Sequence, residues 1–432
     1  MRRSINIKKT VPPGKPYPTH RTLCRASARS PTETFDLPSD GRRRAAFQRR
    51  LTAWFRRHAR AFPWRETRDP YAIWVSEIML QQTQTAAAEP FFRRFLARFP
   101  DVASLAAADQ DEVLRYWEGL GYYRRARSLH AASRRIVELH GGQIPDDAET
   151  LQSLPGIGRY TAGAILSFAF DQPAPILEAN SRRVLSRILA DPERPLGLPD
   201  SVLWELAEQM VPARQSGVYN QALMELGSLI CLVRAPRCRV CPVRSYCMAF
   251  RLGIQDQIAG IQAAAPTTAV HESAIAIFQG TSVLLLRRAE GGRWAGMWDF
   301  PRIEVDHDKA GTERRSNPLP PPDRLEESVR RSLGLSIRLG THFLRFRHAV
   351  TRFRITVDCF LAAISSAAKT PPKVKFGESG WTDAAWLEPS SLEAIPLSSP
   401  GRRIANALLA VHPAIISETR RQFLASPPRR TR

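Results

Sequence analysis

Residues Leu154–Ile165 read LPGIGRYTAGAI and lie between two stretches of helical periodicity. Gly156 and Gly158 flank one apolar residue at the turn. Glycine lets a backbone turn tightly and brings N–H groups close to a ligand. Two helices meeting at such a turn offer amides and a helix N-terminus to a phosphate. A bare Gly-x-Gly is usually no more than a tight turn. Leu154 and Pro155 before it, and Ala162, Gly163 and Ala164 after it, make the stretch a helix–hairpin–helix grip on a DNA backbone.

The charge agrees with that reading. Lys and Arg outnumber Asp and Glu by 63 to 41 in 432 residues, a net charge of +22. Such an excess favours a polyanionic partner, either nucleic acid or an anionic membrane surface. No run approaches the ~20 apolar residues of a membrane span, which excludes insertion. The first forty residues are basic and rich in Pro and Ser, without the apolar core of a secretory signal. They read as a disordered basic arm, with a transit peptide or a start codon placed too early as the other readings. The chain is expected in the cytoplasm, associated with the nucleoid, as a monomer.

Residues Cys231–Cys247 read CLVRAPRCRVCPVRSYC and hold four of the six cysteines. A reducing compartment makes clustered cysteines metal ligands rather than disulfides. A zinc ribbon pairs two C-x2-C knuckles well apart. Here there is one knuckle, and Cys231, Cys238, Cys241 and Cys247 share one loop. That arrangement suits an iron–sulfur cube better than zinc. Arg234, Arg237, Arg239 and Arg244 between the cysteines suggest a loop that presents charge to phosphates. A redox role stays open beside it.

From Arg42 the pattern is helical. Phe47, Leu51, Trp54 and Phe55 fall at i, i+4, i+7 and i+8. Helical periodicity continues to about Phe250. A linker follows over 253–270, and the texture then changes. AIAIFQGTSVLLLRR and FRITVDCFLAAI are strand-like, and DRLEESVRRSLG between them is helical. The fold class expected is a mostly α N-terminal part followed by an α+β domain over 271–410, with a basic tail over 411–432.

Five segments in order carry a resemblance: PWRETRDPY (Pro63–Tyr71), WVSEIMLQQTQ (Trp74–Gln84), GLGYYRRAR (Gly119–Arg127), the hairpin and the four-cysteine loop. Over about residues 45–250 the chain resembles the MutY-type adenine DNA glycosylases. The likeness extends more weakly into the C-terminal domain through GGRWAGMWDFP and FRHAVTRFRITV. It implies a six-helix domain over 66–170, an iron–sulfur cluster domain over 41–65 and 171–252, and a Nudix-like recognition domain over 271–410. It implies a [4Fe–4S] cluster on the four clustered cysteines. The partner it implies is double-stranded DNA holding adenine opposite 8-oxoguanine or guanine. Glu77 matches the catalytic acid and water activator, and Asn180, a retained motif position, is placed with Glu178 and Tyr160 among the catalytic residues. Gln81 lies one helical turn beyond Glu77, Gln82 matches a residue inserted into the duplex, and Tyr122 matches a wedge beside the oxidised base. Arg65, Gly156 and Gly158 are placed among the DNA contacts. Tyr160 stands where the related endonuclease III class carries a lysine that forms a Schiff base. Tyrosine forms none, so a monofunctional glycosylase is expected.

Two departures qualify the likeness. The family's Leu-Asp-Gly-Asn-Val is LEANS here, so Glu178 replaces the aspartate that steadies the sugar cation. The family's Phe-Ser-His probe of 8-oxoguanine is Val350-Thr351-Arg352. A glycosylase of the same fold with altered mispair choice is the nearest alternative, and a non-catalytic, redox-responsive DNA-binding protein is the more distant one. The C-terminal helix carries Glu326 and Glu327 but not the full carboxylate set that holds Mg²⁺ for pyrophosphate hydrolysis.

Overall fold

The computed structural model describes residues 37, 39–190, 198–258, 266–304, 319–365, 371–376 and 380–410. The basic tail, most of the N-terminal arm and part of the linker lie outside these residues. The end of the arm is not loose, however. Leu37 is 1% exposed and packs into a core with Phe47 and Leu51. Asp40 accepts hydrogen bonds from the Arg42 and Arg43 amides, both 3.0 Å, and so caps the first helix.

That helix, α1 (Gly41–His58), buries the four apolar residues that its periodicity marks. The next, α2 (Pro70–Leu80), begins with Asp69 as N-cap and Pro70 in the first turn. Every residue from Tyr71 to Met79 is buried. A helix apolar on all sides belongs at the centre of a bundle, and α2 is enclosed by α3 (Thr85–Arg98), α6 (Arg124–His140) and α8 (Arg159–Phe168). Two short helices, α4 (Val102–Ala107) and α5 (Gln110–Trp117), close the far end against α6. The hairpin joins α7 (Ala148–Ser153) to α8, and Gly156 at its turn has φ +80°. A Cβ there would fall 2.6 Å from the Ser128 Cβ, so the turn needs glycine for both conformation and space.

The chain then returns to α1. Helices α9 (Ala179–Ile188) and α11 (Ser216–Leu229) build the second core with α1, flanked by α10 (Asp200–Met210) and α12 (Met248–Leu252). Cys231 and Cys241 pack against that core.

The C-terminal part is a mixed sheet: β1 (Thr268–Gln279), β2 (Ser282–Arg288), β3 (Trp298–Asp299), β4 (Arg302–Glu304), β5 (Ile337–Val350), β6 (Phe353–Ile364) and β7 (Trp381–Leu387). Its order is β3-β2-β1-β6-β5, with β7 on β2 and β4 on β1. Strands β1 and β6 run parallel in the middle. Because successive side chains alternate faces, Ile275 and Ile277 meet α13 (Pro322–Leu333), while Ala274, Ala276 and Phe278 face the other way. That other face joins one continuous apolar core with α2, α5 and α6. The domain begins three residues earlier than its sequence texture suggests, at Thr268, because β1 extends back to pair with Phe353.

Helix α8 runs close beneath the chain at Pro175: a Cβ on Gly163 would lie 2.2 Å from the Pro175 carbonyl oxygen. Gly163→Ala therefore forces backbone apart and is expected to cost about 1–3 kcal/mol, read as a lower urea midpoint at unchanged m-value.

Candidate active site and cysteine cavity

Burial on α2 isolates one carboxyl group. Glu77 is 4% exposed among Trp74, Ile78 and Met79. Desolvation pushes its pKa up to about 7, and the nearby Glu178 charge pushes the same way. A hydrogen bond from Tyr160 and the Arg65 charge partly oppose this. The Tyr160 hydroxyl donates to Glu77 Oε2 at 2.6 Å, joining α8 to α2. That bond engages Oε2 and not Oε1. Trp74, one turn earlier, is fully buried, and its indole N–H has no partner among the described residues. Gln81, at the end of α2, donates to the Thr161 hydroxyl at 3.4 Å.

Glu178 is the N-cap of α9. Its Oε1 accepts the Ser181 amide at 2.7 Å, and its Oε2 accepts the Asn180 amide at 2.8 Å and the Asn180 side chain at 3.1 Å. The Ser181 hydroxyl is 2.8 Å from the Glu178 amide and completes a capping box. The extra methylene is thus accommodated by folding the side chain back onto the helix end, where the dipole complements negative charge. Asn180 is fixed on its other side by Arg183, 2.8 Å from Oδ1. Arg183 also donates to the Gly227 and Cys231 carbonyls, both at 2.7 Å.

Arg65, expected among the DNA contacts, has partners within the chain. Its guanidinium is mostly buried and pairs with Glu225 at 3.0 Å, while Phe55 and Phe62 pack against it. Burial would raise the Glu225 pKa, but hydrogen bonds from Arg60 and Arg65 outweigh it and hold the group at about 2. Sequence reading missed Glu225; its signal was a lone acid inside the apolar helix QALMELGSL.

The four cysteines of the loop line one cavity with Val184, Ile188, Leu226, Ile230 and Val243. Arg187, 1% exposed, donates to the Cys231 sulfur at 3.2 Å and to the Val233 carbonyl at 3.1 Å. Among the described residues no three acidic, His or Cys groups close on a single-ion position. Four thiols around one apolar cavity are a donor set that fits an iron–sulfur cluster. Arg187 too went unrecognised, because α9 gives no sequence sign that an arginine faces inward.

A cleft of about 1100 Å³ opens between residues of the helical part and of the C-terminal domain. Gln82, Tyr122, Pro155 and Gly156 line one wall, and Trp294, His348, Val350 and Thr351 the other. Gln82 and Tyr122 have positive φ, +57° and +49°, and Tyr122 is 46% exposed while Tyr123 beside it is buried. Thr351 and Arg352 form the turn between β5 and β6, with Thr351 at φ +49°. A β-branched residue there is strained. Glu326 accepts the Leu339 amide at 2.7 Å and Glu327 pairs with Arg330, so both carboxylates have structural partners.

Residues 75–200 match the HhH-GPD superfamily of base excision DNA repair proteins, and residues 273–407 match the NUDIX domain. An adenine DNA glycosylase of Schizosaccharomyces pombe is 30% identical over 392 residues, 79% of this chain and 80% of that protein. The chain belongs to the adenine DNA glycosylase family. The human relative is 29% identical over 473 residues, covering 96% of this chain and 83% of that protein. The rat relative is 35% identical over 331 residues, and the match spans 64% of each. Among the described residues no helix is long and apolar enough to cross a membrane.

A carboxyl whose pKa is raised by folding stabilises the native state below its unfolded value, and that contribution is lost as pH rises through the folded value. For Glu77 the window runs from 4.5 to about 7. Glu77→Gln is therefore expected to raise the melting temperature at pH 8 and to change it little at pH 4.5. Tyr160→Phe removes the hydrogen bond that favours the charged form, so the Glu77 titration should move upward, read by carboxyl ¹³C NMR.

Proposed function

We propose that this chain removes adenine from duplex DNA where it faces 8-oxoguanine or guanine, as a monofunctional glycosylase. The observation that supports this best is Glu77: an acid near neutral pKa, buried, and oriented by a tyrosine in the position where a lyase needs lysine. Adenine leaves poorly as an anion. A target base must leave the stack to be reached. With adenine extruded against α2, the Glu77 Oε1 proton passes to a ring nitrogen. The C1′–N9 bond breaks with its electron pair going to the base, which departs neutral. The sugar is left as an oxocarbenium-like cation, and the Glu178 carboxylate on α9 supplies the opposing charge. Glu77, now a carboxylate, takes a proton from water as that water's oxygen bonds to C1′. The acid and the charge-stabilising carboxylate thus have different environments and different roles.

Tyr160 holds Oε2, leaving Oε1 for the substrate. Asn180 and Arg183 keep Glu178 on the helix cap. Gly156 and Gly158 would present amides to phosphates, and Gln82 and Tyr122 would enter the duplex. On the opposite wall Val350, Thr351 and Arg352 would meet the partner base. Arg352 can donate to the acceptor edge of a guanine, so the chain is read as tolerating guanine as well as its oxidised form. Cys231, Cys238, Cys241 and Cys247 would hold a [4Fe–4S] cluster. When bound, it cross-links the loop that carries Arg237 and Arg239.

The test is release of free adenine from duplexes that differ only in the base opposite adenine. Release opposite 8-oxoguanine and guanine, without a borohydride-trapped adduct, is expected. Glu77→Gln should lower the rate by at least about a hundredfold, within the range of general acid catalysis. Activity should fall as pH rises through about 7. Full activity of Glu77→Gln would sink the assignment, and trapping of an adduct would sink the monofunctional reading.

A further inference from the structure

The loop between α5 and α6 carries Tyr122 into the cleft. It contains three positive φ values, at Gly119 (+98°), Gly121 (+76°) and Tyr122 (+49°). The two glycines take such angles freely, but Tyr122 is in a sparsely populated conformation that its surroundings must determine. Its middle is held by Arg125, which reaches the Gly121 carbonyl at 3.2 Å and the Ile78 and Met79 carbonyls at 2.9 Å each. Both of its ends are held by the other domain. Glu118, 9% exposed, accepts Arg402 Nε at 2.6 Å and Nη2 at 3.0 Å, and the Leu397 amide at 3.2 Å. Arg402 also donates to the Leu392 and Ile395 carbonyls, both at 2.7 Å. At the far end, the Tyr123 hydroxyl lies 3.3 Å from the Ser399 hydroxyl. Ser399 and Arg402 belong to the last helical stretch, over 399–410.

We propose that Glu118 and Arg402 are positioning residues: the last helix of the C-terminal domain fixes the conformation of the Tyr122 loop and so readies the wedge before DNA arrives. The reading of Tyr122 as a wedge rests on the function proposed above. The C-terminal domain then acts twice, through the Thr351 hairpin on one wall and through the opposite wall itself. The pair is suited to this. A bidentate guanidinium–carboxylate bond fixes orientation as well as distance, and a buried one cannot be replaced by water without exposing a charge to apolar surroundings. Free of the clamp, the loop would sample many backbone states, and the duplex would have to select one of them.

The experiment uses the full chain. Glu118→Gln keeps the shape and removes the charge; Arg402→Lys keeps the charge and removes the fork, and serves if the first variant folds poorly. Asp111→Asn is the control, because Asp111 joins the same two domains through Arg287 and Trp298 without touching the loop. In DNA-free protein, amide exchange over 119–124 should quicken by about tenfold or more in both clamp variants and stay native in Asp111→Asn. In a Glu77→Gln background, which needs no chemistry, a 2-aminopurine beside the mispair should brighten on binding for the parent. The brightening should be lost in the clamp variants, while duplex Kd stays within about threefold. In otherwise native protein, the clamp variants should lower kcat about tenfold to a hundredfold with KM nearly unchanged. Unchanged exchange in both clamp variants overturns the proposal, as does the same loosening in Asp111→Asn, which would make the pair ordinary domain glue. No brightening in the parent overturns the wedge half. If the native chain releases no adenine, the activity reading falls, and the exchange measurement still decides the clamp.

Discussion

A carboxyl group placed inside an apolar helix constrains everything around it. Glu77 costs stability whenever it is charged, and α2 surrounds it with Ile73, Trp74, Val75, Ile78 and Met79, all at most 3% exposed. Glu77 is 4% exposed, so most of its solvation must come from fixed groups. Tyr160 supplies one hydrogen bond from α8, and Arg65 supplies charge from a position locked by Glu225. The hairpin before α8 therefore does two things at once. It turns the backbone tightly at Gly156 and it delivers Tyr160 to Glu77. The hairpin turn and the hydroxyl that bonds the acid share one short segment, residues 154–165.

Arginine is the second recurring device. The net charge of +22 reads as a field for a polyanion, yet several arginines are turned inward. Arg125 gathers carbonyls at the end of α2, and burial lowers its pKa to about 10. Arg183 and Arg187 gather carbonyls around Cys231. Arg402 gathers Leu392, Ile395 and Glu118. Helix ends and irregular loops leave carbonyls without partners, and a planar fork of five donors satisfies several at once. Composition counts these residues with the DNA-facing ones, because only tertiary contact separates them.

The same distinction explains what was legible. Periodicity marked Phe47, Leu51, Trp54 and Phe55 as one buried face, and α1 buries them. Strand texture marked FRITVDCFLAAI, which is β6 residue for residue. These are local patterns with a fixed repeat. The packed end of the arm at Leu37 was not legible, since one leucine in a Pro- and Ser-rich stretch has no period. Arg65 and Glu225 were not legible as a pair, because 160 residues separate them and each alone looks like a surface charge. The clamp between Glu118 and Arg402 spans 284 residues and is hidden for the same reason.

Glu178 shows where a residue-type argument stops and geometry takes over. By chemistry alone, a glutamate in place of an aspartate keeps the charge and displaces it by one methylene. At an N-cap the shorter acid reaches the helix amides directly. The longer one reaches them here only by folding back, and it does so with both oxygens engaged. The charge therefore stays at the mouth of α9, where the helix dipole and Asn180 hold it, instead of extending toward the Glu77 pocket by the added length. What the substitution changes is the freedom of that carboxylate: an extra torsion must be held fixed by the capping box. The Ser181 amide donates to the Glu178 carboxylate, and the Ser181 hydroxyl closes on the Glu178 main chain. The family's valine at that position has no hydroxyl to offer. The Ser181 hydroxyl thus fixes the backbone at the start of α9, while the lengthened carboxylate is held by backbone amides and by the Asn180 side chain.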